Sequence, residues 1–374
     1  MKHLIVLCLA CAVSPNIQDD LGVALYRKLG EHNVNNVFLS PLSVATIVGM
    51  VHLGARGTSR DQLESVLGYR QDSHAAFREL LDKILATNED LSVASAVFVS
   101  AGVPVFEKYQ KDLTKFYRSG LYSADFASNS IEAAEDVNAW VRDMTNNKVP
   151  SIVERPPSVP LLVLNAIHFK GKWQNQFHPG DTKKMSFFNR GTEPVQVDTM
   201  RQTAELVHAF SSDAQILELP YAGERLVMVL VLPTSKTGLA NLEKSFSLDL
   251  VRNALENAVK QKVTVSLPRF QLQETYNLKK PLQALGLHKV FEKPGANLTG
   301  IAARPPLALD DILHKALLQV DEEGSEAVAL SGGIVSHSRL PTKEVLFQAD
   351  HPFLFFIEDL PTKSVLFIGR LQEL

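Results

Sequence analysis

The sequence predicts one mixed α/β domain of the α+β kind, on three observations. Helical apolar spacing dominates the first third, strand-like runs dominate from about residue 161, and no Pro/Gly/Ser-rich linker, charge block or internal repeat divides the 374 residues. Leu21, Leu25 and Leu29 recur at i, i+4, i+8 with Asp20 as the expected N-cap. Phe77, Leu80, Leu81, Ile84 and Leu85 form a second helical stripe. Residues 93–99 read as a strand, and 131–146 as a helix with Val137, Trp140, Val141 and Met144 on one face. Residues 226–232 are an unbroken apolar run ended by Pro233, the pattern of a strand buried on both faces. Val263, Val265 and Leu267 alternate with Thr264 and Ser266, as in a strand with one wet face. Residues 354–357 and 365–368 close the chain as two more buried strands.

With 45% hydrophobic and 21% charged residues the chain can bury a large core, and a net charge of −3 gives it no general attraction for nucleic acid or anionic lipid. A monomer is expected. The N-terminus places Lys2 and His3 before the apolar run 4–10 and ends in the small-x-small sequence Ala10-Cys11-Ala12, so residues 1–12 read as a signal peptide and 13–374 as the folded domain. Secretion to the extracellular space follows. Both cysteines, Cys8 and Cys11, fall in or beside the leader, which leaves the mature chain without a disulfide. Asn297-Leu298-Thr299 is an N-glycosylation sequon.

Catalytic signatures are missing. The sequence contains no G-x-S-x-G, H-E-x-x-H, Walker or G-x-G-x-x-G motif. Its eleven histidines are scattered, with His168 and His178 the nearest pair in sequence, so no helix presents paired metal ligands. Nothing calls for a cofactor or a metal.

The informative stretch runs over 321–341. After the acidic Asp321, Glu322 and Glu323, the small residues Ser325, Ala327, Ala329 and Ser331 share one parity while Glu326, Val328 and Leu330 share the other. As a strand, this segment would present one face of side chains small enough to enter a packed interior. A loop selected only for solubility has no reason to sort its residues in this way.

These residues resemble a known family. Glu322-Glu323-Gly324-Ser325-Glu326-Ala327 is similar to the hinge of inhibitory serpins, and the likeness covers essentially the whole chain. Asn36-Val37-Phe38-Leu39-Ser40-Pro41-Leu42-Ser43 resembles the shutter segment, and 164–173, ending in Trp173, the central sheet strand with its breach tryptophan. His314-Lys315 and Asp350-His351-Pro352-Phe353-Leu354 match the remaining signatures. The resemblance implies the serpin fold: one domain with three β-sheets, eight or nine helices and an exposed C-terminal reactive loop at about 322–343. It implies a metastable protein in which a serine protease cuts the loop, forms an acyl-enzyme, and is trapped as the loop inserts into the main sheet. The chain would then be an inhibitor and not an enzyme.

By the same resemblance Ser40, Ser43, Asn165 and His314 are shutter residues, a small polar network tying the sheet strands, and Trp173 marks the breach where the loop enters first. Arg269 is expected to pair with Glu322 at the loop base. Hinge residues Ser325 and Ala327 suit insertion, as does Ala329; Val328 is larger but lies on the outward parity. The family's usual spacing from Glu322 puts the bait residue at Ser338, whereas Arg339 is the only basic side chain of the loop before Lys343, so the cut bond is Ser338–Arg339 or Arg339–Leu340. Ser338 would suit an elastase-like protease and Arg339 a trypsin-like one. Heparin binding is not expected at the usual helix, because Arg78 and Lys83 face Asp72, Glu79, Asp82, Glu89 and Asp90. Lys279, Lys280, His288, Lys289 and Lys293 read as a solvated basic face. Two other classes compete: a carrier or chaperone on the same fold, which the hinge disfavours, and a secreted hydrolase, which the missing motifs disfavour.

Overall fold

The computed structural model describes residues 17–31, 33–70, 72–86, 90–154, 160–323 and 344–374. The N-terminal half is mainly helical: α1 (Ile17–Gly30), β1 (Val37–Leu39), α2 (Pro41–Gly54), α3 (Gly57–Leu67), α4 (Ser73–Leu85), β2 (Leu91–Ser100), α5 (Glu107–Tyr117), β3 (Gly120–Ala124) and α6 (Ser130–Met144). Strands then take over with β4 (Leu161–Phe169), β5 (Lys183–Asn189), β6 (Glu193–Phe210), β7 (Ala214–Pro220) and β8 (Leu226–Pro233). After α7 (Leu239–Ser245) and α8 (Leu248–Glu256) come β9 (Lys260–Pro268), β10 (Phe270–Asn277), α9 (Lys279–Ala284), β11 (Asp311–Val320), β12 (Val345–Gln348), β13 (Phe353–Asp359) and β14 (Ser364–Leu371).

The chemistry of α2 explains its central place. Ser40 caps it by accepting the Ser43 N–H at 3.2 Å, Pro41 sits where no N–H is needed, and the helix is apolar all round, so every residue but Leu53 is buried. It packs against the inner face of a five-stranded sheet ordered β10-β11-β4-β2-β3. The outer face of that sheet is covered by α6 through small residues: Ala94, Ala96 and Ala166 from the strands, Ala133 and Ala134 from the helix.

The other strands form one hydrogen-bonded network, β1-β14-β13-β8-β7-β6-β9-β12, with β5 also on β6. The three sheets implied by the resemblance are seen once this network is divided within β6. That strand pairs with β5 and β9 over most of its 18 residues and with β7 only at His208–Phe210. Nine α-helices lie among the described residues.

Four local expectations are corrected. Asp20 is not the N-cap: α1 is already helical at Ile17, and Asp20 sits in its first turn, where its charge still suits the helix dipole. The helix predicted over 131–146 ends at Met144, because Asn146 and Asn147 adopt positive φ, and Met144 is 47% exposed rather than part of the apolar face. Thr264 and Ser266 are buried like their apolar neighbours, since Thr203 and Glu344 close over Thr264 as hydrogen-bond partners. The strand predicted over 93–99 extends to Leu91–Ser100.

Candidate functional site

The central pair of the five-stranded sheet is unusual. β4 and β11 run parallel, in register from Asp311 opposite Leu162 to Leu318 opposite Phe169, while each is antiparallel to its other neighbour. Parallel pairing is slightly the weaker kind. The chain leaves β11 at Val320, beside the C-terminal end of β4, and a strand turning back from that point would be antiparallel to both.

That exit is clasped. The indole Nε1 of Trp173, shortly after β4, donates to the Asp321 carbonyl at 2.8 Å, and the Phe177 amide donates to the Glu322 carbonyl at 3.0 Å. Trp173 is itself stacked on Tyr221, centroids 4.5 Å apart and planes 12° from parallel. Arg269, in the turn from β9 to β10, donates through Nε to both Glu322 carboxylate oxygens at 2.7 and 2.6 Å, and Nη2 and the Thr182 hydroxyl also reach Oε1. Lys170 lies 3.1 Å from the Asp321 carboxylate. The Glu322 side chain is 5% exposed and that of Arg269 45%, so the anion is buried while the cation keeps half its water. Burial pushes the Glu322 carboxyl up, but the bonds from Arg269 and Thr182 outweigh it and leave the group below the usual glutamate range.

The four residues expected to form the shutter meet beneath the parallel pair. Asn165 of β4 and His314 of β11 are register partners, both fully buried, and the Ser40 amide donates to His314 Nε2 at 3.0 Å. With Nε2 accepting, Nδ1 carries the ring proton. Burial drives the His314 imidazole down to about 3, so it is neutral. Asn165 Nδ2 donates to Ser95 Oγ of β2 at 2.8 Å, which ties a third strand into the cluster. Ser43 Oγ, Asn165 Oδ1 and His314 Nδ1 have no hydrogen-bond partner among the described residues.

The structure thus brings together Ser40, Ser43, Asn165 and His314, and separately Trp173, Arg269 and Glu322. Glu323 adjoins the second group, its carbonyl accepting from Gln176 at 3.4 Å. The residues expected as hinge, Gly324, Ser325, Glu326, Ala327, Val328 and Ala329, those expected as bait, Ser338, Arg339 and Leu340, and the expected leader 1–12 lie outside the described residues. Asn297 is partly exposed in an irregular segment, its Oδ1 accepting from the Thr299 hydroxyl at 2.7 Å. Among the basic residues, Lys289 pairs with Glu292 and Lys293 with Asp310. Sequence reasoning missed Ser95, Thr182, Phe177 and Tyr221. Ser95, a polar residue inside an apolar strand run, carried a readable signal; the other three are defined only by the tertiary contact.

A sheet with a parallel central pair, its exit clasped and its centre held by a buried polar cluster, is the arrangement that the sequence resemblance leads one to expect. A family model described as Serpin (serine protease inhibitor) matches residues 16–374, and the chain belongs to the serpin family. It is 37% identical to Iripin-8 of Ixodes ricinus over 95% of this chain and 92% of that one. It is 36% identical to the leukocyte elastase inhibitor of Xenopus tropicalis, over 93% and 96%. The crystal structure of native protease nexin-1 with heparin superposes with a TM-score of 0.88 at 27% identity, covering 96% of this chain and 99% of that one. The family includes secreted and intracellular members. Membership makes serine proteases the class of partner and inhibition, not catalysis, the family's usual activity.

Proposed function

We propose that this chain is a suicide-substrate inhibitor of serine proteases. The protease serine attacks the bait carbonyl at Ser338–Arg339 or Arg339–Leu340, the peptide bond breaks, and the loop stays joined to the enzyme as an ester. The freed segment then enters the five-stranded sheet between β11 and β4 and carries the protease with it. The observation that carries this reading is the parallel β4–β11 pair with the loop leaving its open end. Insertion replaces one parallel interface by two antiparallel ones. Two further features support it. The parity of Ser325, Ala327 and Ala329 gives the incoming strand a small-residue face, and three buried atoms of the Ser43, Asn165 and His314 cluster lack a hydrogen-bond partner among the described residues, which would cost about 1–3 kcal/mol each.

The two bait registers differ by about 3.3 Å along a strand. The name of the Xenopus relative favours the Ser338 register, and the basic side chain of Arg339 favours the other. Secretion rests on the leader pattern of residues 1–12, and glycosylation on the sequon at the partly exposed Asn297.

Incubation with trypsin and with pancreatic elastase tests the reading. The expected result is a complex stable in SDS, with mass spectrometry locating the new end after Ser338 or Arg339. Cleavage in the loop with no complex from either enzyme, and no gain in thermal stability of the cut protein, would refute insertion.

A further inference from the structure

Away from the loop, four helical elements enclose a chain of titratable groups that the proposed inhibition does not use. His52 of α2 and His74 of α4 are buried with Nδ1 of the first 3.0 Å from Nε2 of the second. At one end His52 Nε2 lies 3.1 Å from the Glu64 carboxylate of α3, which also accepts from Arg60 Nε at 2.8 Å. At the other, His74 Nδ1 lies 2.5 Å from the Tyr117 hydroxyl of α5, which is 3.2 Å from that of Tyr69, itself 3.3 Å from the Ala45 carbonyl of α2. A glycine makes the room: a Cβ on Gly49 would stand 2.2 Å from the Tyr117 hydroxyl oxygen and 2.4 Å from that of Tyr69. Helix α2 thus accepts a glycine in its interior, about 1 kcal/mol worse than alanine, where two hydroxyls must meet.

Counting protons gives the chain a direction. With Glu64 ionised, His52 must donate from Nε2, so its Nδ1 accepts from His74 Nε2–H, His74 Nδ1 accepts from the Tyr117 hydroxyl, and Tyr117 accepts from Tyr69. Four protons serve four bonds. A fifth is accommodated by reversing every bond beyond His52: its Nδ1–H donates to His74 Nε2, His74 Nδ1–H to Tyr117, Tyr117 to Tyr69, and Tyr69 to the Ala45 carbonyl. The charge then sits on His52 against Glu64, and His74 has changed tautomer without gaining a proton. A sixth proton would set two N–H groups face to face between the rings, with no acceptor.

We propose that His52, His74, Tyr117 and Tyr69 form a buried relay that takes up one proton from solvent, and only one, by concerted reversal of its hydrogen bonds. The groups facing it are Glu64 and Arg60 from α3, Arg56 just before α3, and Asp112 and Tyr109 from α5. Arg60 holds the Glu64 carboxyl below its usual range, so the anion persists in mild acid. Burial lowers the His52 imidazole, which places uptake below neutral pH, and lowers that of His74 to about 4, which keeps this ring from taking the proton itself.

Nitrogen-15 NMR of the histidine rings in the full chain, followed from pH 7.5 downward, tests this. Expected is an Nε2–H tautomer for both rings near neutrality; on acidification His52 becomes imidazolium and His74 switches to Nδ1–H with the same midpoint. In Tyr117→Phe the His74 switch should vanish and the His52 midpoint fall by about one pH unit. In Glu64→Gln, a change at a partly exposed site, the same midpoint should fall. Protonation of His74 with its own midpoint, an unchanged His74 tautomer while His52 titrates, or unfolding before either ring changes would overturn the relay.

Discussion

Removing Arg269 should destabilise the described fold chiefly through Glu322. The carboxylate is nearly fully buried and receives three bonds from the guanidinium and one from Thr182. Breaking a fully buried pair costs about 3–5 kcal/mol, and a surface pair contributes ~0–1 kcal/mol. Because the guanidinium is 45% exposed and keeps much of its hydration, the coupling belongs between these limits and nearer the lower, at about 1.5 kcal/mol. For a chain of this length that corresponds to roughly 2 °C in melting temperature, taking about 2.1 cal/mol/K of unfolding entropy per residue. A cycle of Arg269→Ala, Glu322→Gln and the double variant, unfolded in urea at pH 7, isolates the pair from the two side chains taken singly. The pH dependence supplies a second check. The Glu322 carboxyl is lowered in the fold, so its contribution is fully present above the ordinary value of 4.5 and is lost as pH falls through the folded-state value. A coupling below about 0.3 kcal/mol at pH 7, inside the usual additivity error, or one that grows on acidification, would refute the account of the clasp.

Trp173→Phe keeps an aromatic ring over Tyr221 but deletes the donor to Asp321; a loss of about 1 kcal/mol in urea is expected, with Trp140 left as the sole tryptophan, and an unchanged midpoint would show the bond to be idle. His314 at about 3, with His168 and His74 at about 4, are held neutral by burial, so stability present above pH 6.5 should be lost as pH falls toward 4, by up to about 2 kcal/mol for each fully buried ring between pH 7 and 5. Stability that rises over that interval would contradict the buried, neutral assignment. Ser325→Arg should turn an inhibitor into a substrate, because an unpartnered guanidinium opposes strand insertion; equal trapping of protease on a denaturing gel would defeat the parity argument.

Much of the chain was legible from local pattern. The stripe of Phe77, Leu81 and Ile84, the two-faced run of 226–232 and the closing strands are fixed by the period of apolar residues, which local backbone geometry turns directly into a buried face. The order of small and large side chains from Ser325 to Ser331 is likewise a property of the sequence, as is the family resemblance that proposes roles for Ser40, Asn165, Trp173 and Arg269. The boundary at Met144 escaped prediction because helix ends depend on caps and on positive-φ residues that many sequences can supply. The wet face expected for Thr264 and Ser266 failed because what covers a strand is chosen by the fold, not by the strand. Which partners meet was also decided by tertiary structure alone. Thr182 reaches Glu322 across 140 positions and His52 meets His74 across 22. A hydrogen bond is specific to a few tenths of an ångström, whereas apolar burial requires only the right side of an element, so sequence period predicts the core and leaves the polar contacts to the packed structure.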